Sequence, residues 1–514
     1  MNFKRSSGIL LHPSCLPGPY GIGDLGPEAY RWIDFLAETG IGLWEILPLG
    51  PTGYGNSPYQ CFSAFAGNPY LISPDFLMRD GLLNLSEIEF HPQFSMKKVE
   101  FNKVKKWKDE LFITAYTHFI NKKNPQLKSD FQIFVLSNSD WLNEYSLFMA
   151  IKKIQNDHPW NQWSDGLRIH DRKTLNKFMK ENSRIIEQKK FEQFVLSRQW
   201  EALINYTHSK QIKIIGDLPI FISYDSADVW TNPKLFKLTN NLESQVIAGV
   251  PPDYFSPTGQ LWGNPLYRWE IHKRTQYNWW IKRFQHSLKM ADIIRLDHFR
   301  GFAGFWEVPS SSPTAEGGYW VKGPGIPFFN EIQKTLGSLP FIAEDLGLIS
   351  EDVVELRDHF KLPGMKILQF AFNKDSLNQY LPHNFPVDCV VFTGTHDNET
   401  NKGWFIALPK KEREFCLQYL NSNGEHIAWD MIRVAWSSVA VFALAPMQDF
   451  LELGSEARMN YPGHVGGNWT WRISKNSLKS ALIKKIKKIN QLYDRNNIPL
   501  EEKVELPKIN YLNS

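Results

Sequence analysis

Residues 291–302, ADIIRLDHFRGF, decide how this chain is read. Ile293, Ile294 and Leu296 have the apolar character of a buried strand, yet Arg295, Asp297, His298 and Arg300 crowd into the same few positions. Unpaired charges are costly inside a fold, so such a strand holds either an internal ion pair or a site. Arg295 and Asp297 are two apart and leave the same face of a strand. A guanidinium beside a carboxylate favours its ionised form and lowers its pKa.

Seven other short apolar runs also end in polar residues: IGLWEILPLG, NPYLIS, IKIIGDLPIF, PFIAEDLGLI, MKILQFAF, VVFTGTHDN and VAVFALAPMQDF. Helical patterns such as FEQFVLSRQWEALINYTHSKQ and SEDVVELRDHF lie between several of them. That alternation predicts an α/β fold with a parallel sheet and crossover helices, and eight strands close it into a (β/α)8 TIM barrel. About 140 residues separate the second and third of the eight runs along the chain, where a plain repeat needs roughly 30. Residues 1–514 are therefore expected to form one barrel carrying a helical insertion at 74–190, marked by WLNEYSLFMAIKKI and the lysine-rich SMKKVEFNKVKKWKDE. A second insertion, rich in Pro, Gly and aromatics, is expected at 225–288.

Hydrophobic residues make up 42% of the 514 and charged residues 22%, as in a folded chain with a large core. A formal net charge of +4 is too small for the footprint of a nucleic-acid binder, which favours a neutral partner. Nineteen tryptophans and eighteen tyrosines offer rings with an apolar face and a polar tip, a surface that suits sugars. Cys15, Cys61, Cys389 and Cys416 have neither disulfide-framework nor zinc-site spacing, which suits a reducing compartment. No apolar run reaches the roughly 20 residues that span a bilayer. A cytoplasmic protein without membrane or nucleic-acid partners is expected. Near the end, SLKSALIKKIKKINQLY places Leu478, Leu482, Ile486 and Ile489 on one helical face and reads as a closing barrel helix with a wet basic side.

Four runs end in a carboxylate: Asp217, Asp297, Glu344 and Asp397. Any one of them could cap a helix or pair locally, but barrels build active sites at the carboxyl ends of several strands. Glu344, in FIAEDLG, has no cation beside it in sequence, so burial would raise its pKa. One ionised and one protonated carboxyl is the machinery of glycosidic bond cleavage. Calcium-loop spacing is missing from the sequence, and neither metal nor cofactor is expected.

The motifs SGILLHPSCLPGPYGIGDLG, LPLGPTGYGNSPYQCFSAFAGNPYLI, IIGDLPIF, AGVPPDYFSPTGQLWGNPLY, RLDHFRGF, IAEDLG, THDN and EARMNYPGHVGGNWTWR resemble, in order and over nearly the whole chain, those of 4-α-glucanotransferases of the amylomaltase or disproportionating type, glycoside hydrolase family 77. The resemblance implies a barrel akin to that of α-amylases without their C-terminal β-sandwich, acting with retention on α-1,4-glucans and maltooligosaccharides. It implies Asp297 as nucleophile, Glu344 as general acid and base, and Asp397 as the residue holding sugar hydroxyls at the transition state. Tyr59 becomes a sugar platform, Asp217 and His396 hydroxyl partners, and Trp262 a contact in neighbouring subsites. Arg295 keeps Asp297 ionised, His298 and Arg300 help orient the site, Asn468 lines the cleft, Tyr54 belongs to a second glucan groove, and 248–256 form a covering loop. Cys15, Cys61, Glu45 and Asn56 depart from the usual pattern of serine, serine, glutamine and aspartate. An α-amylase-type hydrolase and a non-catalytic glucan-binding protein are the competing readings, and no oligomeric state is implied.

Overall fold

The computed structural model describes residues 3–252, 256–347, 349–373 and 375–497. Eight strands, β1 (Ser6–Leu10), β2 (Leu43–Glu45), β3 (Lys213–Pro219), β4 (Ile293–Asp297), β5 (Phe341–Ala343), β6 (Gly364–Ile367), β7 (Cys389–Phe392) and β8 (Phe442–Pro446), close into a barrel in chain order. Every neighbouring pair is parallel. The expected (β/α)8 architecture is thus present, with one strand reassigned.

NPYLIS is not a strand. Asn68 accepts a hydrogen bond from Tyr70 N through its side chain and Pro69 supplies a preset φ, so the segment starts a 3-10 turn over Pro69–Leu71. The eighth strand is instead SSGIL at the start of the chain, where β1 joins β8 and β2. Gly8 suits this place because a Cβ there would lie 2.9 Å from Leu43 Cβ and 3.1 Å from Leu444 Cδ2. Chain segments distant in sequence lock this junction. The buried Arg495 guanidinium donates to the carbonyls of Ser6, Trp436 and Ala440, and Ser7 Oγ donates to Asn490 Oδ1 at 2.8 Å. Asn490 belongs to the helix Ser480–Leu492, which packs against Pro27–Thr39 with Ile486 buried.

Alternation along the strands builds the barrel interior in layers. Leu43, Ile215, Ile293, Ile342, Met365, Val390 and Phe442 belong to one apolar plug. Two residues further along the same faces come Glu45, Asp217, Arg295 and Glu344, and Asp297 follows two beyond Arg295. Ile294 and Leu296 point the other way, into the larger cluster shared with the helices. The charged layer is therefore the direct continuation of the hydrophobic plug toward the carboxyl ends of the strands.

Between β2 and β3 the chain is helical, with Phe101–Asn121, Pro125–Ser137 and Ser139–Ile154 all packing on the 27-residue helix Ser183–Ser209. Phe119 and Phe191, with ring centroids 4.8 Å apart, and Phe131 and Phe194, at 5.5 Å, are among these contacts. The long helix runs without a break through residue 190 and then leads into β3, so insertion and barrel share it. Between β3 and β4, strands Val246–Val250 and Gln260–Pro265 join Gly304–Pro309 and Tyr319–Lys322, from the connection after β4, in a four-stranded antiparallel sheet. Of the expected covering loop 248–256, residues 253–255 lie outside the described residues. Helix Asn278–Met290 completes the crossover and packs on β3 and β4.

Candidate active site

Arg295 is buried in the middle of β4 and its Nη1 is shared, 2.7 Å from Asp217 Oδ2 on β3 and 3.1 Å from Asp297 Oδ1. Immediately after Asp297 the backbone turns at His298, whose φ of 52° lies in the left-handed region that histidine enters more readily than most residues. That turn aims the His298 N–H at Glu344 Oε2, 2.7 Å away, while Leu346 N donates to Oε1 at 3.0 Å. One carboxyl at the end of β4 and one just beyond β5 are thereby tied to adjacent backbone positions. Left-handed non-glycine backbone is strained, and strain of this kind collects where side chains must be aimed.

The two carboxyls differ in acidity. Burial raises Glu344 to about 8, against the opposing pull of Arg295, and the nearby Asp297 charge adds to the rise. Burial also raises Asp297, to about 6, because it outweighs the adjacent guanidinium. The sequence argument expected Arg295 to bring Asp297 below its ordinary value. The guanidinium does act in that direction, but only moderates the cost of burial. Near neutrality Asp297 is mainly ionised and Glu344 mainly protonated, which preserves the expected order of the two acids.

Asp397, beyond β7, follows a different logic. Burial alone would raise it, but His396 and the side-chain bond from Asn460 outweigh that and hold the carboxyl well below the usual range. Asn460 Nδ2 lies 2.7 Å from Asp397 Oδ1, His396 Nε2 lies 3.4 Å from the same oxygen, and Arg458 Nη2 donates to the Asp397 carbonyl at 2.8 Å. Tyr59 Oη donates to Asp217 Oδ2 at 2.5 Å and lies 2.8 Å from His396 Nε2, and the Tyr59 and His396 rings stack at 5.2 Å. Burial and the Asp217 charge push the Tyr59 hydroxyl well above its ordinary value, so it stays a donor.

These groups open into a cleft of ≈ 2160 Å³, its mouth included, lined by Tyr59, Arg295, Asp297, His298, Glu344 and Asp397 among others. Asp217 and His396 are buried one layer down, behind Tyr59 and Arg295, instead of on the cleft wall. Trp262, on the second sheet, lines the cleft and meets the His298 ring edge-on at 4.7 Å. Burial, reinforced by Arg300, holds His298 down near 3, so its ring is neutral. Arg300 stacks on Trp320, its guanidinium carbon 3.8 Å from the ring centroid. Asn468 lines the far wall with its amide engaged in the loop backbone: Tyr461 N donates to Oδ1 at 3.0 Å and Nδ2 donates to His464 O at 2.9 Å. Tyr54 stands at the rim, 71% exposed. Beside it Asn56, in a left-handed turn at φ 56°, accepts from Lys105 Nζ of the helix Phe101–Asn121 at 2.8 Å. The 74–190 segment contributes to this rim only from behind.

A family model described as 4-alpha-glucanotransferase matches residues 11–478. The chain belongs to the 4-alpha-glucanotransferase family. A 4-alpha-glucanotransferase from Synechocystis is 46% identical over 96% of this chain and 98% of its own length. One from Thermus thermophilus is 46% identical over 92% and 95%. Among solved structures, the amylomaltase of Streptococcus agalactiae in complex with acarbose superposes with a TM-score of 0.93 at 37% identity, covering 96% of this chain and all of that one. Against this family background, the residues that sequence reasoning passed over are Asn460 and Arg458, which brace Asp397. Both lie in EARMNYPGHVGGNWTWR, a stretch recognised as a motif without a role for either.

Proposed function

We propose that the protein is a retaining 4-alpha-glucanotransferase, moving segments of α-1,4-glucans through a covalent intermediate on Asp297. In the first step an Asp297 carboxylate oxygen attacks the anomeric carbon. Glu344 gives its proton to the departing 4-oxygen, leaving a glycosyl ester and a free glucan end. In the second, ionised Glu344 takes the proton from the 4-hydroxyl of an acceptor, that oxygen displaces Asp297, and the α-configuration returns. The observation that supports this most is the tie between the two carboxyls: Asp297, held by Arg295 at 3.1 Å, ends β4, and the very next N–H, that of His298, donates to Glu344 Oε2 at 2.7 Å.

Asp397, kept ionised, accepts hydroxyls of the sugar whose ring becomes oxocarbenium-like. Tyr59 supplies the platform, with its hydroxyl proton given to Asp217, and Asp217 and His396 act on the sugar largely through Tyr59 and Arg295. Trp262 contacts the neighbouring sugar, His298 and Arg300 hold the β4 turn, Asn468 shapes the opposite wall, and Tyr54 serves an outer glucan contact. The insertion 225–288, with the covering loop 248–256, limits water in favour of a sugar acceptor, while 74–190 supports the rim. The four cysteines are free, which suits a cytoplasmic enzyme. No described helix is long and apolar enough to cross a membrane.

Bonds broken and formed are of one kind, so transfer is nearly neutral in free energy and gives a ladder of products. Incubation with maltotriose tests the reading. Longer maltooligosaccharides without a matching rise in reducing ends are expected, and Asp297→Asn should abolish them while leaving maltooligosaccharide binding measurable. Monotonic shortening would instead make the protein an α-amylase-type hydrolase, and unchanged maltotriose a glucan-binding protein.

A further inference from the structure

Glu45 ends β2 inside the barrel. It pairs in register with Leu10 on β1 and Ile215 on β3, so its inward side chain lies one inward position before Asp217 and Arg295, which pair with each other on β3 and β4. The residue is 4% exposed, and its Oε2 is shut off from solvent with no hydrogen-bond partner among the described residues. The charged and titratable groups around it are Arg295 from β4, Asp217 from β3 and His396 from beyond β7, with His12 next to His396 and Tyr59 bonded to Asp217. Arg295 already serves two carboxylates, Asp217 at 2.7 Å and Asp297 at 3.1 Å. An anionic Glu45 would be a third claimant on one guanidinium, while a neutral acid makes no such demand.

We propose that Glu45 is a positioning residue: as a neutral acid it leaves Arg295 to Asp217 and Asp297, and on losing its proton it draws the guanidinium inward, away from Asp297. The longer of the two Arg295 contacts is the one to Asp297, so that is the one a competing anion weakens first. Burial, against the pull of Arg295, raises the Glu45 carboxyl to about 8, so it is neutral over the range in which Glu344 is protonated. The alkaline side of the activity profile then depends on two protons, one on Glu344 and one on Glu45. This inference rests on the assignment of Asp297 as nucleophile.

The test compares the wild type with Glu45→Gln, following kcat/KM for maltotriose from pH 6 to 9.5. In the wild type, log kcat/KM should fall with a slope steeper than −1 on the alkaline side, and in the variant with a slope of −1. At pH 9 the variant should therefore keep up to about tenfold more of its pH 6 rate than the wild type keeps. Infrared difference spectra between pH 6 and 9.5 supply a readout independent of turnover: the wild type should lose two protonated-carboxyl bands on the alkaline side, those of Glu344 and Glu45, and the variant only one. A wild-type slope of −1, alkaline limbs that coincide, or spectra unaltered by the substitution would each overturn the inference. An active Asp297→Asn would overturn the nucleophile assignment instead, and the infrared result would still report Glu45 separately.

Discussion

Replacing Arg295 by methionine removes the one cation shared by Asp217 and Asp297 while keeping a long, flexible side chain in the barrel. With the arginine present, Asp297 sits at about 6 despite its burial. A neighbouring guanidinium lowers a carboxyl by about 1–3 units, so its loss should carry Asp297 to roughly 8 and raise Glu344 as well, since Arg295 pulls on both. At pH 7 the ionised fraction of the nucleophile then falls from about nine-tenths to about one-tenth, a loss of roughly tenfold from protonation alone. Misplacement of the freed carboxylates adds to it. Breaking a buried pair also leaves Asp217, whose side chain is 2% exposed, without its cation, which costs about 3–5 kcal/mol. The assay is the initial rate of maltotriose disproportionation from pH 5 to 9, read as kcat/KM, together with thermal unfolding at pH 7. The acid limb should move from near 6 toward 8 and the peak should shrink. An acid limb left in place, in a variant that is folded and otherwise slowed, would refute the claim that Arg295 sets the charge on Asp297.

Two further outcomes follow from the same geometry. Asn460→Ala removes a 2.7 Å bond to the Asp397 carboxylate. Bonds to charged groups contribute about 1.5–3 kcal/mol, so kcat/KM for maltotriose should fall by roughly 10- to 100-fold, and a change under about twofold would show that Asp397 needs no such brace. Glu45→Gln should change stability in a pH-dependent way. The folded carboxyl titrates at about 8 against an ordinary 4.5, so between those values the unfolded chain has released a proton that the folded chain keeps, and stability falls as pH rises. Glutamine abolishes that fall. The variant should match the wild type near pH 4 and exceed it above pH 8 by up to about 5 kcal/mol, and a Tm difference that is constant with pH would contradict the burial of a neutral acid.

Seven strands were legible because each is a short apolar run cut off by polar residues. β1 was not, since SSGIL is short, and the packing of Leu43 and Leu444 that favours Gly8 comes from strands far away in sequence. NPYLIS misled because apolar content says nothing of the Asn68 cap that turns it into a 3-10 segment. The acids at the ends of β3, β4, β5 and β7 could be picked out from position alone, as could the shared face of Arg295 and Asp297. Whether burial or the guanidinium governs Asp297 could not, because burial depends on everything that surrounds the carboxyl. Nor could the brace on Asp397, which joins residues 63 apart through a loop with no regular period.

The union of β1 with β8 has a bearing on how the protein is made. Residues 6–10 leave the ribosome before every other strand of the barrel, but the strand that completes their sheet ends at residue 446. At about 5–20 residues per second, roughly 20–90 s pass before the partner exists. Throughout that interval the nascent β1 has at most one neighbour and presents a free sheet edge, the kind of surface that recruits other chains. Yield in the cell should accordingly depend on how well that early edge is shielded during synthesis, and a slower ribosome would lengthen the exposure in proportion.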